Sequence, residues 1–300
     1  MNFSLYIAKR YLRSKSSNNA INFISVIALI GVVLGAASLF IVLSGFAGLK
    51  DFTLQFSTVV DPDLKAETAI GKSFFLSEDE ISKLNAIEDI ELYSQVIEER
   101  AVVAFDDKNY LATIKGVDNH FELVNNIDSI LEQGSWIDQN TNQIVVGYGV
   151  SRNLSIGVLD YAKTVTIYVP KPGKGQITST KKAFNSVNTI NVGVFSINEK
   201  FDDTYVFVPM DLAQNLLNYQ PNQISAIEFK LIDGADEANT KAKIETVLGN
   251  KVILKNREQL NTDIYKMLNT EKLAVYLIFT LVLIIAFFNV IGSLIMMILD

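Results

Sequence analysis

Few residues of this 300-residue chain are of the types that carry out chemistry. It has no Cys and one His, His120. Thiolate zinc sites, iron–sulfur clusters, disulfides and thiol nucleophiles are therefore excluded. A two-His metal site, HExxH included, cannot be assembled either. His120 sits in Gly116-Val117-Asp118-Asn119-His120-Phe121, which reads as a surface loop. Three acidic doublets, Glu98-Glu99, Asp106-Asp107 and Asp202-Asp203, are candidates for paired carboxylates of the glycosidase kind. Their simpler reading is solvated edges and turns. Gly173-Lys174-Gly175 has the composition of a phosphate-cradling loop, but GxxxxGK[ST] is absent and no helix is expected after it. No catalytic, cofactor-binding or metal site emerges, and the chain is not expected to be an enzyme. A net charge of −7 argues against nucleic acid as a partner.

The elements that position these residues are set by two charge-free stretches, Ser16 to Leu49 and Leu273 to Leu299. Each exceeds the roughly 20 apolar residues that a membrane-spanning helix needs. A signal peptide is a poor fit to the first, because its apolar core is only about 7–15 residues long. Apolarity here continues through Leu39-Phe40-Ile41-Val42-Leu43, past the small cluster Gly35-Ala36-Ala37-Ser38. Lys9, Arg10, Arg13 and Lys15 precede the first stretch, and no acid occurs before Asp51. Basic flanks stay cytoplasmic, so the N-terminus is expected inside and residues 50–272 outside. Lys50 and Lys272 run slightly against that trend. Phe3, Ile7 and Tyr11 share a helical face among the basic residues, which suits a helix lying on the cytoplasmic surface; a basic tail without structure is the alternative.

Small residues along the first span form a stripe. Ala28, Gly31, Gly35 and Ser38 fall on one helical face, and Gly31 with Gly35 makes a GxxxG. Such a face lets another helix approach closely. In the second span Asn289 lies near mid-membrane, followed by Gly292 and Ser293. An amide there is expected to bond a neighbouring helix rather than face lipid. No charge lies inside either span, which argues against an ion relay.

Between the spans lie all but one of the 33 acidic residues and all but four of the 26 basic ones. Residues 51–60 and 257–271 read as helical stalks that bind this region rigidly to the spans. Ser77 and Glu80 form a capping-box pattern that opens a helix. Strands are expected at 64–68, 91–97, 101–105 and 110–117, with a turn at Asp106-Asp107-Lys108-Asn109. Near the far end a strand over 226–231, a helix over 236–248 closed by Gly249, and a strand over 251–254 follow. The middle, about 126–223, is richer in strands. Within it Pro170 to Val187 carries two of the five Pro, and four Lys without an acid. It is expected as a protruding hairpin loop, functional or merely variable.

Taken in order, several segments resemble a family. They are Ala8-Lys9-Arg10-Tyr11-Leu12, Val42-Leu43-Ser44-Gly45-Phe46, Ile114 to Asp118, Ile144 to Val158, Tyr205 to Leu217, and Asn269 onward into FNVIGSLIMMILD. Together they are similar to the lipoprotein-releasing ABC transporter permeases of the LolC/LolE type, within the wider MacB/FtsX-like group. The resemblance covers essentially the whole chain. It implies an α+β membrane protein in which two transmembrane helices flank an extracytoplasmic, porter-like α/β subdomain with an inserted β-rich, Sabre-like subdomain. The expected boundaries are a cytoplasmic basic segment at 1–19 and a first span at 20–49. The porter-like unit with its stalks takes 50–125 plus 224–272, the inserted unit 126–223, and the second span 273–299.

The resemblance further implies an inner-membrane, multi-pass location with the large domain in the periplasm. Its partners would be a cytoplasmic ABC ATPase, a second permease copy or paralogue, a periplasmic lipoprotein chaperone and the lipoprotein substrate. No cofactor is implied. Pro170, Lys171, Pro172, Gly173, Lys174 and Gly175 become the candidate chaperone-binding loop. Family members have four spans, and a cytoplasmic coupling segment would begin near Asp300, so the chain is expected to be the N-terminal part of such a permease. A MacB-like efflux permease and a two-span extracytoplasmic sensor are the competing readings.

Overall fold

The computed structural model describes residues 3, 6–7, 10, 19–57, 60–125, 127–159, 163–171 and 183–299. The chain divides into two compact units, Met1–Thr53 with Asp263–Asp300, and Leu54–Thr262.

Two long helices make the first unit, α1 (Asn19–Ser57) and α9 (Thr262–Leu299), each of which runs on beyond it at its domain-side end. Both are long and apolar enough to cross a membrane. Almost none of their apolar surface is covered by the rest of the chain. A helix apolar on all sides and left uncovered finds its low-energy surroundings in lipid rather than water.

The second unit is built on one ten-stranded sheet. Its outer part has the order β12 (Val252–Asn256), β1 (Leu64–Thr68), β11 (Ala226–Leu231), β3 (Ile90–Phe105), all antiparallel. On one face α2 (Glu78–Asn85) and α7 (Glu237–Leu248) cover Leu64, Ala66, Ile227, Phe229 and Leu254. Local signals start and stop these helices as the sequence suggests. The Ser77 backbone N–H donates to Glu80 Oε2 (2.8 Å) and the Glu80 N–H to Ser77 Oγ (3.3 Å). Asp236 accepts from two N–H groups at the start of α7, and Gly249, at φ 63°, ends it.

The strand expected in two pieces, 91–97 and 101–105, is a single strand of 16 residues. Along one edge β3 pairs throughout with β4 (Lys108–Val117), closed by a tight turn with Asp106 in the left-handed region. Along its other edge it pairs first with β11 and then, from Val102 to Ala104, with β7 (Val165–Pro170). This change of partner closes a ring. From β4 the pairing runs parallel to β9 (Tyr205–Pro209), antiparallel to β6 (Gln143–Gly147) and parallel to β8 (Phe184–Phe195). β8 pairs antiparallel with β7, which returns to β3. Six strands thus enclose a core of Ile97, Val103, Ile114, Ile144, Ile167 and Val206. α4 (Tyr148–Leu154) and α6 (Met210–Leu217) pack against that core through Val150, Leu154, Leu212 and Leu216. α4 follows β6 and lies in the crossover that the parallel β6–β8 pairing requires, whereas α6 follows β9 on the way to β11. β5 (Leu131–Gly134) extends β8 outward, and a third core there holds Trp136, Phe121 and Phe207 in ring contact.

The helix expected over 257–271 is broken. A short turn, α8 (Arg257–Leu260), ends at Asn261 before α9 begins. The Asn261 amide donates to the Arg257 carbonyl and to Asp61 Oδ2, so it competes with the helical backbone.

Candidate functional site

Three places carry features beyond ordinary packing. The first lies in the outer part of the sheet. Lys65 on β1, Glu228 on β11, Glu98 on β3 and Lys115 on β4 occupy four successive strands. Lys65 is registered with Glu228, and Glu98 with Lys115, so all four side chains meet on one face. Lys65 Nζ lies 2.9 Å from Glu98 Oε1 and 3.5 Å from Glu228 Oε1. Lys115 Nζ lies 2.8 Å from Glu228 Oε1 and 3.6 Å from Glu98 Oε1, and sits 5.0 Å above the Phe121 ring. Lys65, Lys115 and Glu228 are buried, while a quarter of the Glu98 side chain is accessible. Burial pushes the Glu98 carboxyl up, but Lys65 and Lys115 together outweigh it and hold it down at about 2. Burial likewise opposes the charge on Lys65, and Glu98 with Glu228 more than restores it, so the ammonium titrates above its usual range. Tyr205 is pushed up to about 12 by burial and then by the Glu98 charge. Glu98 and Lys65 therefore stay charged, and the ion pairs lock the four strands together.

This cluster was not legible in the sequence. Glu98-Glu99 read as a solvated edge; Glu98 instead lies among lysines, and Glu99 pairs with Lys72 at 2.7 Å. Asp202 also differs from a solvated turn residue. It is buried, accepting from the Ile197 N–H (2.8 Å) and Ser196 Oγ (2.9 Å). Asp106 does lie in a turn, and His120 is exposed, with Nδ1 3.9 Å from Asp118. Among the described residues no group of three or more His, Cys, Asp or Glu is placed to hold a metal ion.

The second place is the neck of the β7–β8 hairpin. Pairing continues to Pro170 with Phe184, and the Lys171 N–H donates to the Ala183 carbonyl at 2.9 Å. Residues 184–187, expected in the loop, thus belong to a strand. Tyr168 and Phe184 stack edge-on at 6.5 Å, and Asn185 donates to the Leu216 carbonyl of α6 at 2.7 Å. Of the candidate loop residues, Pro170 and Lys171 are exposed on this neck. Pro172, Gly173, Lys174 and Gly175 lie outside the described residues.

The third is the helix pair of the first unit. A Cβ at Gly35 would lie 3.4 Å from Val282 of α9, so Gly35 faces the chain's own second helix. Gly31 and Gly292 have open space where a side chain would project, and Ser38 is exposed. Ala28 and Asn289 lie on α1 and α9; their side chains are outside the described residues. Toward the Lys50 and Lys272 ends the helices leave a cleft of about 240 Å³.

Comparison with known proteins bears on this arrangement. Residues 25–247 match the family model of the MacB-like periplasmic core domain. The chain belongs to that family. As a MacB-like chain it is 25% identical to the lipoprotein-releasing system transmembrane protein LolE of Haemophilus influenzae, over all of this chain and 72% of that protein. It is 24% identical to the lipoprotein-releasing system transmembrane protein LolC of Buchnera aphidicola, over 99% of this chain and 72% of that one. Solved structures similar to this MacB-like domain include the periplasmic region of MacB from Actinobacillus actinomycetemcomitans, at 13% identity and TM-score 0.48, covering 71% of this chain and 95% of that one. Another is the extracellular domain of the ABC-type transporter YknZ from Gram-positive bacteria, at 13% identity and TM-score 0.44, covering 65% of this chain and 98% of that one.

Proposed function

We propose that the chain is the permease part of an ABC transporter that releases lipoproteins from the inner membrane to a periplasmic chaperone. One observation carries this reading: the similarity to LolE extends over the whole chain, both apolar helices as well as the domain between them. ATP hydrolysis resides on a separate cytoplasmic ATPase, and this chain converts it into movement. α1 and α9 are the spans, with the N-terminus inside and residues 50–272 in the periplasm. Residues 50–125 plus 224–272 act as a porter-like unit and 126–223 as an inserted, Sabre-like unit.

The physical requirement for such work is a domain that moves without deforming. Several features support that role. The two ends of the domain sit side by side, with Leu64 of β1 registered with Asn256 of β12. Asp61 is held by Asn261, and Asp63 pairs with Arg257 at 3.0 Å. A pull on the chain at either end is thus delivered to the same sheet edge. The Lys65–Glu98–Lys115–Glu228 cluster then ties that edge to β3, which runs on into the ring.

The β7–β8 hairpin, Pro170 to Val187, is the chaperone contact in this reading. Gly31 with Ala28 and Ser38 offers a small-residue face to a second permease, while Asn289 and Gly292 serve the same packing on α9. The decisive experiment is ATP-dependent release. The full-length protein, reconstituted with its ATPase and paired permease in proteoliposomes, should transfer an acylated lipoprotein to soluble chaperone. Deleting Lys171 to Lys182 should abolish crosslinking to the chaperone with the domain still folded. Absence of release with all subunits present would sink the function; unchanged crosslinking would sink the loop assignment alone.

A further inference from the structure

Lys50 and Lys272 end the two charge-free stretches on their external side. Basic residues at that position run against the usual distribution. The structure gives them a common place. Both line the cleft between α1 and α9, together with the aromatic side chains of Phe46, Tyr265 and Tyr276. Leu268 and Val275, one heptad apart on α9, are buried at its floor. Lys272 Nζ sits 5.9 Å over the Tyr276 ring. Among the described residues no carboxylate lies within 4 Å of either ammonium. A third charge, Glu271, lines the same cleft.

We infer that this cleft holds the headgroup of a phospholipid, with its phosphate between Lys50 and Lys272 and a headgroup amine at Glu271. The inference rests on the reading of α1 and α9 as membrane spans. The cleft, at about 240 Å³, is smaller than the roughly 300–1,000 Å³ of pockets that enclose a drug-sized molecule. It suits a headgroup and not two acyl chains. Those chains have their own place, because Leu43 and the residues above it on α1 are exposed and apolar. Aromatic rings around the mouth are the side chains that favour the membrane–water boundary. Two ammonium groups and one carboxylate complement a zwitterionic phosphoethanolamine, whose ammonium makes a charge-assisted pair with Glu271, better than an anionic phosphoglycerol, which offers Glu271 only neutral hydroxyl donors. A phosphate taken by two lysines is held by charge-assisted contacts, so removing both should weaken retention by about tenfold or more.

The test is native mass spectrometry of the full-length protein released from nanodiscs of equal phosphatidylethanolamine and phosphatidylglycerol. The wild type should retain phosphatidylethanolamine in preference to phosphatidylglycerol. Lys50→Gln with Lys272→Gln should lower total retention about tenfold, and Glu271→Gln should bring the preference toward unity. Fluorescence of Trp136, far from the substitutions in sequence, checks that the variants fold. Equal retention of both lipids by the wild type, or unchanged retention by the double variant, overturns the inference. Carbonate extraction of native membranes is run alongside. Release of the chain by carbonate would overturn the membrane reading itself, whereas a chain that stays embedded and shows no selectivity overturns only the headgroup site.

Discussion

Glu228 is the residue on which the outer sheet most depends. Its side chain is 1% exposed, one carboxylate oxygen takes both lysines, and the other has no hydrogen-bond partner among the described atoms. Removing one partner from such a pair leaves an uncompensated buried charge, at a cost of roughly 3–5 kcal/mol. Replacing both with apolar groups of similar size removes the problem along with the pair. Lys115→Met should therefore destabilise the protein strongly, and Lys115→Met with Glu228→Leu should recover much of the loss. Thermal unfolding followed by the fluorescence of the single Trp, Trp136, provides the measurement, since Trp136 packs on Phe121 and Phe207. Equal losses in the single and double variants would show that the cost does not come from an uncompensated charge on Glu228. The same cluster sets an acid limit. Glu98 titrates at about 2 in the folded state against an ordinary 4.5. A depressed carboxyl stabilises the fold above its unfolded value and loses that contribution as pH falls through the folded one. Stability on the order of 3 kcal/mol should thus drain away between about pH 5 and pH 2. Glu98→Gln should flatten that part of the profile.

At the scale of elements, Gly134 shows how a single position can decide a pairing. It ends β5 at φ 83°, and a Cβ there would lie 2.0 Å from the Val192 carbonyl oxygen of β8. Gly71, at φ 85°, has open space instead. Gly71→Ala should cost about 1–2 kcal/mol, the strain of a left-handed residue alone. Gly134→Ala adds a clash with backbone that cannot step aside, and should cost about 2 kcal/mol more. Urea titration of the two variants, read at Trp136, compares them directly; equal midpoints would contradict the close approach. This contrast is invisible in sequence, as both are simply glycines in polar surroundings. What was legible was local. Ser77 with Glu80, and Asp236 with Gly249, mark helix ends because a cap is a contact over a few residues. The single strand over 90–105 is hidden in the sequence because Glu98-Glu99-Arg100 interrupts its apolar pattern. The lysines that neutralise those acids come from strands far away in sequence, and so does β7, which closes the ring. The candidate loop was recognisable by its lysines and prolines, yet its neck is longer on the β8 side than composition suggested.

For the molecule as a whole, the central question is which side of a membrane each part occupies. The proposed arrangement has 54–262 outside and the basic N-terminal segment inside, and two apolar helices with a MacB-like domain between them are compatible with it. The physical basis is the bias of Lys and Arg toward the cytoplasmic side of short flanks. The lack of Cys among these 300 residues makes this directly testable, because a thiol introduced among them has no native competitor there. Asp107→Cys places it in the exposed turn between β3 and β4. Ser14→Cys places it among the basic residues before α1. In intact spheroplasts a membrane-impermeant maleimide should label the first and not the second, and permeabilisation should make the second react. The reverse pattern would invert the topology and overturn the proposed contact of the β7–β8 hairpin with a periplasmic chaperone. Labelling of both in intact cells would instead place the N-terminal segment outside, leaving the first apolar helix without a crossing. In the proposed reading, motion started by a cytoplasmic ATPase is delivered to the sheet edge where β1 pairs with β12, and it arrives through both helices only if both cross the membrane. The maleimide pattern thus bears on the force-transmitting role as well as on the address of the protein.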